Sequence, residues 1–134
     1  MSEIRITPSI LNADLTKLDS EISKIAKVSD LLHLDIMDNK FVPNQTWNFE
    51  SAHKIIANSP IPVDAHLMIA DPDIQARRYA EIGCRSVTVH FEACENVSFV
   101  LKSIRSAGAR SALALKPKTD FAVLKSYREQ LDMI

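Results

Sequence analysis

Glycine is nearly absent from this chain: Gly83 and Gly108 are the only two among 134 residues. That scarcity excludes glycine-rich phosphate loops from these residues, since such loops need glycine to bring backbone N–H groups against a phosphate. Neither sign of charge dominates. Sixteen Lys and Arg stand against 17 Asp and Glu, for a net charge of −1, so no nucleic acid and no membrane surface is indicated as a partner. No apolar run reaches the roughly 18 residues that would suggest a membrane span. The start, Met1-Ser2-Glu3, is polar and leads into a strand-like segment, which is not the pattern of a secretory signal. A cytoplasmic location is expected. Cysteine is limited to Cys84 and Cys94. One disulfide is possible in principle, but nothing points to an oxidising compartment, and both are expected to be reduced thiols.

What is present is ordinary for one soluble domain: 46% hydrophobic and 25% charged residues. Short β-branched runs alternate with segments of helical period. Ile4 to Ile10 reads as a first strand, followed by a helix capped by Asp14 with Leu15, Leu18, Ile22 and Ile25 on one face. Leu31 to Met37 reads as a second strand, then a proline-containing loop and a helix near Glu50 to Asn58. Pro62 to Met68 is a third strand. Asp71-Pro72 opens a helix with an N-cap acid and a proline at the first position, which Gly83 ends. Ser86 to His90 is a fourth strand, followed by a helix capped by Asn96 and ended by Gly108. Arg110 to Leu115 is a fifth strand, and Thr119-Asp120 opens a fifth helix carrying Phe121, Leu124, Tyr127 and Leu131. Asp132-Met133-Ile134 reads as the start of a sixth strand. Five βα units with short links imply parallel strands and right-handed crossovers. A five-stranded doubly wound sheet and part of an eight-stranded barrel, which typically needs about 250 residues, both fit. An ending within a strand favours the barrel.

Side chains alternate faces along a strand, so His33, Asp35 and Met37 share one face, as do Asp64, His66 and Met68. Both histidines are expected toward the C-terminal ends of their strands and at matching heights, the end where α/β active sites lie. If both faces point into a barrel, two imidazoles and a carboxylate converge, a set suited to Zn²⁺, Fe²⁺ or Mn²⁺. The plain alternative is a pair of hydrogen-bonded core histidines. Asp64 is open to two readings, a carboxylate orienting the His66 imidazole or a buried structural acid.

The run His33-Leu34-Asp35-Ile36-Met37-Asp38-Asn39-Lys40-Phe41-Val42-Pro43-Asn44 resembles the strand-two signature of ribulose-phosphate 3-epimerases. Pro8-Ser9-Ile10-Leu11 with Ala13-Asp14, Val63-Asp64-Ala65-His66-Leu67-Met68, His90-Phe91-Glu92-Ala93, and Lys116-Pro117 with Thr119 are similar to that family's first, third and fourth strands and the segment after its fifth. The resemblance implies an α/β fold, a (β/α)8 TIM barrel, of which residues 1–134 form the N-terminal part of a single ribulose-phosphate-binding domain with about five βα units. It implies a metal-dependent isomerase that interconverts D-ribulose 5-phosphate and D-xylulose 5-phosphate by moving a proton at C3 through an enediolate. His33, Asp35 and His66 would bind one divalent metal ion, Asp35 would also be catalytic, and Ser9, His66, Met37 and Met68 would contact the small sugar-phosphate substrate. A polarisable thioether fits closely against such an intermediate without donating hydrogen bonds; simple core packing is the other reading of the two methionines.

The family's second acid, an aspartate on the seventh strand that also completes the metal sphere, and its glycine-rich phosphate grip are not among these residues. Lys40 stands where a histidine is common in the family, and Trp47-Asn48-Phe49 where a glycine-proline pair is frequent. As written, the chain is expected to be a partial record, a truncated product or an engineered half-barrel. The alternatives for its function are an allulose-6-phosphate 3-epimerase and an inactive barrel fragment. An unpaired strand edge invites dimerisation, and the full-length enzyme is expected to be a homo-oligomer.

Overall fold

The computed structural model describes residues 4–134; Met1-Ser2-Glu3, read above as a polar start, lie outside them. Leu32, Leu34 and Ile36 alternate with His33, Asp35 and Met37, and this period of two gives β1 (Leu32–Met37) one apolar and one polar face. The same alternation builds β2 (Val63–Met68), β3 (Ser86–His90) and β4 (Arg110–Ala114). β1 to β4 are thus the second to fifth strands read from the sequence. Between them run α1 (Leu18–Ile25), α2 (Phe49–Asn58), α3 (Pro72–Glu81) and α4 (Val97–Ser106).

The strands are parallel and lie in the order β1-β2-β3-β4. A doubly wound sheet reverses its order at a switch point. Here each strand is laid beside the last without reversal, and right-handed crossovers then put successive helices on the same side. This is the winding of a partial (β/α)8 barrel. The apolar strand face forms the core: Leu32, Leu34, Ala65, Leu67, Val87 and Val89 are fully buried and cluster with Ile55, Ala76, Val100, Leu101 and Ile104 of the helices.

The first strand is reduced to a bridge. Ser9 pairs with His33 in parallel register, Pro8 O accepts from His33 N, and Ile10 N donates to His33 O. Pro8 has no N–H to give, and Ile4 and Ile6 are exposed, so no continuous ladder forms. At the other edge Met133 bridges to Ala112, which puts the sixth-strand start in its expected place. The fifth helix is a 3₁₀ helix, Phe121–Gln130. Its apolar residues Phe121, Leu124 and Tyr127 recur every third position, the spacing that aligns on a three-residue turn. A 3₁₀ turn, Leu15–Lys17, likewise precedes α1.

Asn96, read as a cap, accepts a hydrogen bond from Phe99 N at the start of α4, and Asn48, not singled out in the sequence, accepts one from Ser51 N at the start of α2. Asp14 caps the 3₁₀ turn rather than α1 itself. Asp71 precedes Pro72 at the start of α3, but its side chain makes no capping bond. Gly83 and Gly108 end α3 and α4 with φ of +104° and +91°, conformations that favour glycine. Both cysteines are free thiols, and burial pushes each up to about 12. Among the described residues no helix is long and apolar enough to cross a membrane.

Candidate active site

The strand face turned away from the helices carries polar side chains in rows set by the register. His33 is paired with Asp64 and Asp64 with Ser86; one pleat further on, Asp35 is paired with His66 and His66 with Thr88. Met37 and Met68 face each other in the next row. Asp35 and His66 are therefore at one height, as expected, but His33 is not. It lies near the start of β1, one row below, and its ring spans the two rows.

That ring is held at both nitrogens. His33 Nδ1 donates to Asp64 Oδ2 at 2.8 Å, and Nε2 lies 3.2 Å from Asp35 Oδ1. Asp64 also accepts from the Ser86 hydroxyl at 2.6 Å. Asp64 thus orients His33 rather than His66, because register makes it the partner of His33. From the other side His66 Nδ1 lies 3.3 Å from Asp35 Oδ1. Asp35 Oδ2 takes the Ser9 hydroxyl at 2.6 Å, so the bridge between the first segment and β1 delivers Ser9 to the cluster.

Ligand atoms from His33, Asp35 and His66 all lie within 4.8 Å of one another. Donors bound tetrahedrally at about 2.1 Å from a zinc ion sit roughly 3.4 Å apart. The 3.2 and 3.3 Å separations from Asp35 Oδ1 to the two imidazole nitrogens match that spacing. Two imidazoles and a carboxylate suit Zn²⁺, Fe²⁺ or Mn²⁺, and the carboxylate on the far side of His33 is the usual support for a metal-binding histidine. The residues could hold a divalent cation.

The electrostatics follow from the same contacts. Hydrogen bonds to Asp35 and Asp64 outweigh burial and raise His33 to about 9. Burial raises Asp35, but hydrogen bonds from His33, His66 and Ser9 overcome it and hold the carboxyl well below its ordinary range.

Four residues assigned no role in the sequence support the site. Asp38 accepts from Lys40 N and Phe41 N with one oxygen and from Ala70 N with the other, tying the loop after β1 to the loop after β2. Asn39 takes φ of +56° in the turn between them; an Asp-Asn pair is a recognisable turn signal. Thr46 donates to Asp35 O and accepts from Met37 N. His90 meets His66 edge to edge, with Nε2 atoms 2.9 Å and ring centroids 5.1 Å apart, and Glu92 follows it. Burial and the neighbouring His66 push His90 below the ordinary imidazole value. Alternation along β3 already sets His90 on one face with Ser86 and Thr88, the signal that could have found it. Lys40 and Trp47 touch none of the three cluster residues in any hydrogen bond, ion pair or ring contact of the described structure.

Fold and cluster together define a class: a parallel βα protein wound in barrel fashion, with two imidazoles and a carboxylate gathered on the face away from its helices. The chain belongs to the ribulose-phosphate 3-epimerase family, whose model, described as "Ribulose-phosphate 3 epimerase family", matches residues 5–134. It is 46% identical over 114 residues to a ribulose-phosphate 3-epimerase of Mycobacterium leprae (strain TN), an overlap covering 85% of this chain and 50% of the relative. A protein of the same name from Bacillus subtilis (strain 168) is 33% identical over 132 residues, covering 98% of this chain and 61% of the relative. One from Buchnera aphidicola subsp. Acyrthosiphon pisum (strain APS) is 35% identical over 138 aligned positions, covering 100% and 60%. The chain spans about half to three-fifths of the length of these relatives.

Proposed function

We propose that the protein is a metal-dependent ribulose-phosphate 3-epimerase, interconverting D-ribulose 5-phosphate and D-xylulose 5-phosphate, and that these residues supply its metal cluster and one of its two acid–base groups. The observation that carries the reading is the convergence of His33 Nε2, His66 Nδ1 and Asp35 Oδ1 in a chain whose relatives are named for this reaction. His33, Asp35 and His66 would hold the cation.

The C3 proton lies next to the carbonyl and is only weakly acidic. A divalent cation supplies positive charge that stabilises the negative charge developing on the substrate oxygens as the proton leaves. Asp35 takes that proton from C3, leaving an enediolate. Its hydrogen bond from Ser9 holds the carboxylate in place while it does so. Met37 and Met68, one row beyond Asp35 and His66, offer thioether surface to the flat intermediate and no hydrogen-bond donor that would trap it. Ser9 and His66 border the same space and are proposed to contact the substrate. The proton returned to the opposite face comes from a second acid, which the resemblance assigns to a seventh strand.

The test is turnover of ribulose 5-phosphate by the full-length protein, with and without a chelator. Chelation is expected to abolish activity, and Asp35→Asn to lower kcat by about 100- to 10,000-fold, the range for loss of a general acid–base group. Activity untouched by either would contradict the reading. Activity on allulose 6-phosphate with none on ribulose 5-phosphate would keep the chemistry and replace the substrate.

A further inference from the structure

We infer that His90 and Glu92 are positioning residues that favour the tautomer of His66 in which Nδ1 keeps a lone pair for the metal. The inference rests on the metal reading above and concerns a part of the molecule that reading does not use.

The rings of His66 and His90 meet edge to edge and nearly coplanar, at 23°, with their Nε2 atoms 2.9 Å apart. At that separation one Nε2 carries a hydrogen and the other accepts it. The choice propagates to both ends of the pair. If His90 donates, its neutral ring keeps a lone pair at Nδ1. That atom is buried with no hydrogen-bond partner among the described residues, and it faces Glu92 Oε2 at 3.6 Å. A lone pair aimed at a carboxylate away from water is repulsive. If His66 donates instead, His90 accepts at Nε2 and carries its hydrogen on Nδ1, directed at Glu92. The repulsion becomes an attraction.

Glu92 cannot easily turn away. Its other oxygen accepts from Lys116 N at 2.7 Å and from the Thr119 hydroxyl. Phe41 packs on the His90 ring with centroids 5.0 Å apart, and the Lys116 ammonium lies 4.0 Å over Phe41. The Glu92 carboxylate therefore favours the arrangement in which His66 holds its hydrogen on Nε2, while Asp35 Oδ1, 3.3 Å from His66 Nδ1, favours the opposite one as long as no cation is bound. A cation between Nδ1 and Asp35 removes that opposition, and Glu92 then stabilises the arrangement that metal binding requires. Asp64 does the same for His33 directly. Glu92 does it for His66 through one intervening ring.

The experiment is ¹⁵N nuclear magnetic resonance of histidine-labelled protein, which reads each ring's tautomer, combined with zinc titration. In the zinc-loaded protein His90 is expected to carry its hydrogen on Nδ1 and His66 on Nε2, with the His66 Nδ1 signal moved from its metal-free position. Glu92→Ala should weaken zinc binding about 10- to 100-fold, as expected for loss of a group that orients a metal ligand. Glu92→Gln should not recover that loss: its one carbonyl oxygen stays with Lys116 N and the Thr119 hydroxyl, and the amide nitrogen turned to His90 Nδ1 donates to it and favours the opposite arrangement. A His90 hydrogen on Nε2 in the zinc-loaded protein would overturn the inference even with zinc binding intact. So would Glu92→Ala leaving affinity unchanged, or Glu92→Gln binding zinc as tightly as the unaltered protein. Absence of zinc binding by the unaltered protein would overturn the metal reading and the inference together. If Glu92→Ala fails to fold, the Glu92→Gln affinity and the tautomers of the zinc-loaded protein decide.

Discussion

His33 carries a proton that a metal ion must displace. In the metal-free protein its pKa is raised to about 9 by Asp35 and Asp64, above the roughly 6.5 of an unperturbed imidazole. The folded protein therefore binds more protons than the unfolded chain between those values. The stabilisation from the charged ring is complete below about pH 6.5 and is lost as pH rises through about 9. Metal binding runs the other way, since only the neutral ring can coordinate. Apparent zinc affinity should rise about tenfold per pH unit from pH 7 toward 9 and then level off, accompanied by release of one proton that calorimetry in buffers of different ionisation enthalpy would count. An affinity independent of pH across that range would show that His33 is not a ligand. At this scale the cluster was legible in the sequence, because alternation alone set His33, Asp35 and Met37 on one face. The difference in height was not. It depends on register, which makes Asp64 the partner of His33, and no single strand encodes that.

The elements show where local chemistry decides and where it does not. Asp71 read as a helix cap and Asn48 did not, but it is Asn48 that accepts a capping hydrogen bond, from Ser51 N at 2.8 Å. Asn48→Ala should cost about 0.5–2 kcal/mol of stability, while Asp71→Ala should cost distinctly less, because the Asp71 side chain makes no capping bond to lose. Urea denaturation of both variants checks this, and equal costs would contradict it. The four central strands were readable because one face of each is apolar and buried. The first segment was over-read: its β-branched residues suggested a strand, but Pro8 interrupts the ladder and Ile4 and Ile6 find no cover. The last helix shows the opposite error of period. Phe121, Leu124 and Tyr127 at intervals of three are compatible with an α-helix, yet they align better on the 3₁₀ turn that forms.

For the molecule as a whole, sequential parallel winding decides between the two architectures that pattern alone left open. It also explains why the cluster exists: adjacent strands laid side by side in register place β1 and β2 so that a carboxylate from one meets imidazoles from both. His90 joins from β3, one strand further along. Alternation along β3 puts it on the site face, but its contact with His66 depends on how the two rings meet across strands rather than on any spacing within one. The central claim is that His33, Asp35 and His66 hold one divalent cation. Zinc titration of the metal-free protein by calorimetry at pH 7.5, alongside Asp35→Ala and His66→Ala, tests it most directly. One equivalent should bind to the unaltered protein, and each variant should lose at least about 100-fold in affinity, the size of effect that loss of a supporting group alone can reach. Binding that survives both substitutions, or no stoichiometric binding at all, would contradict the account.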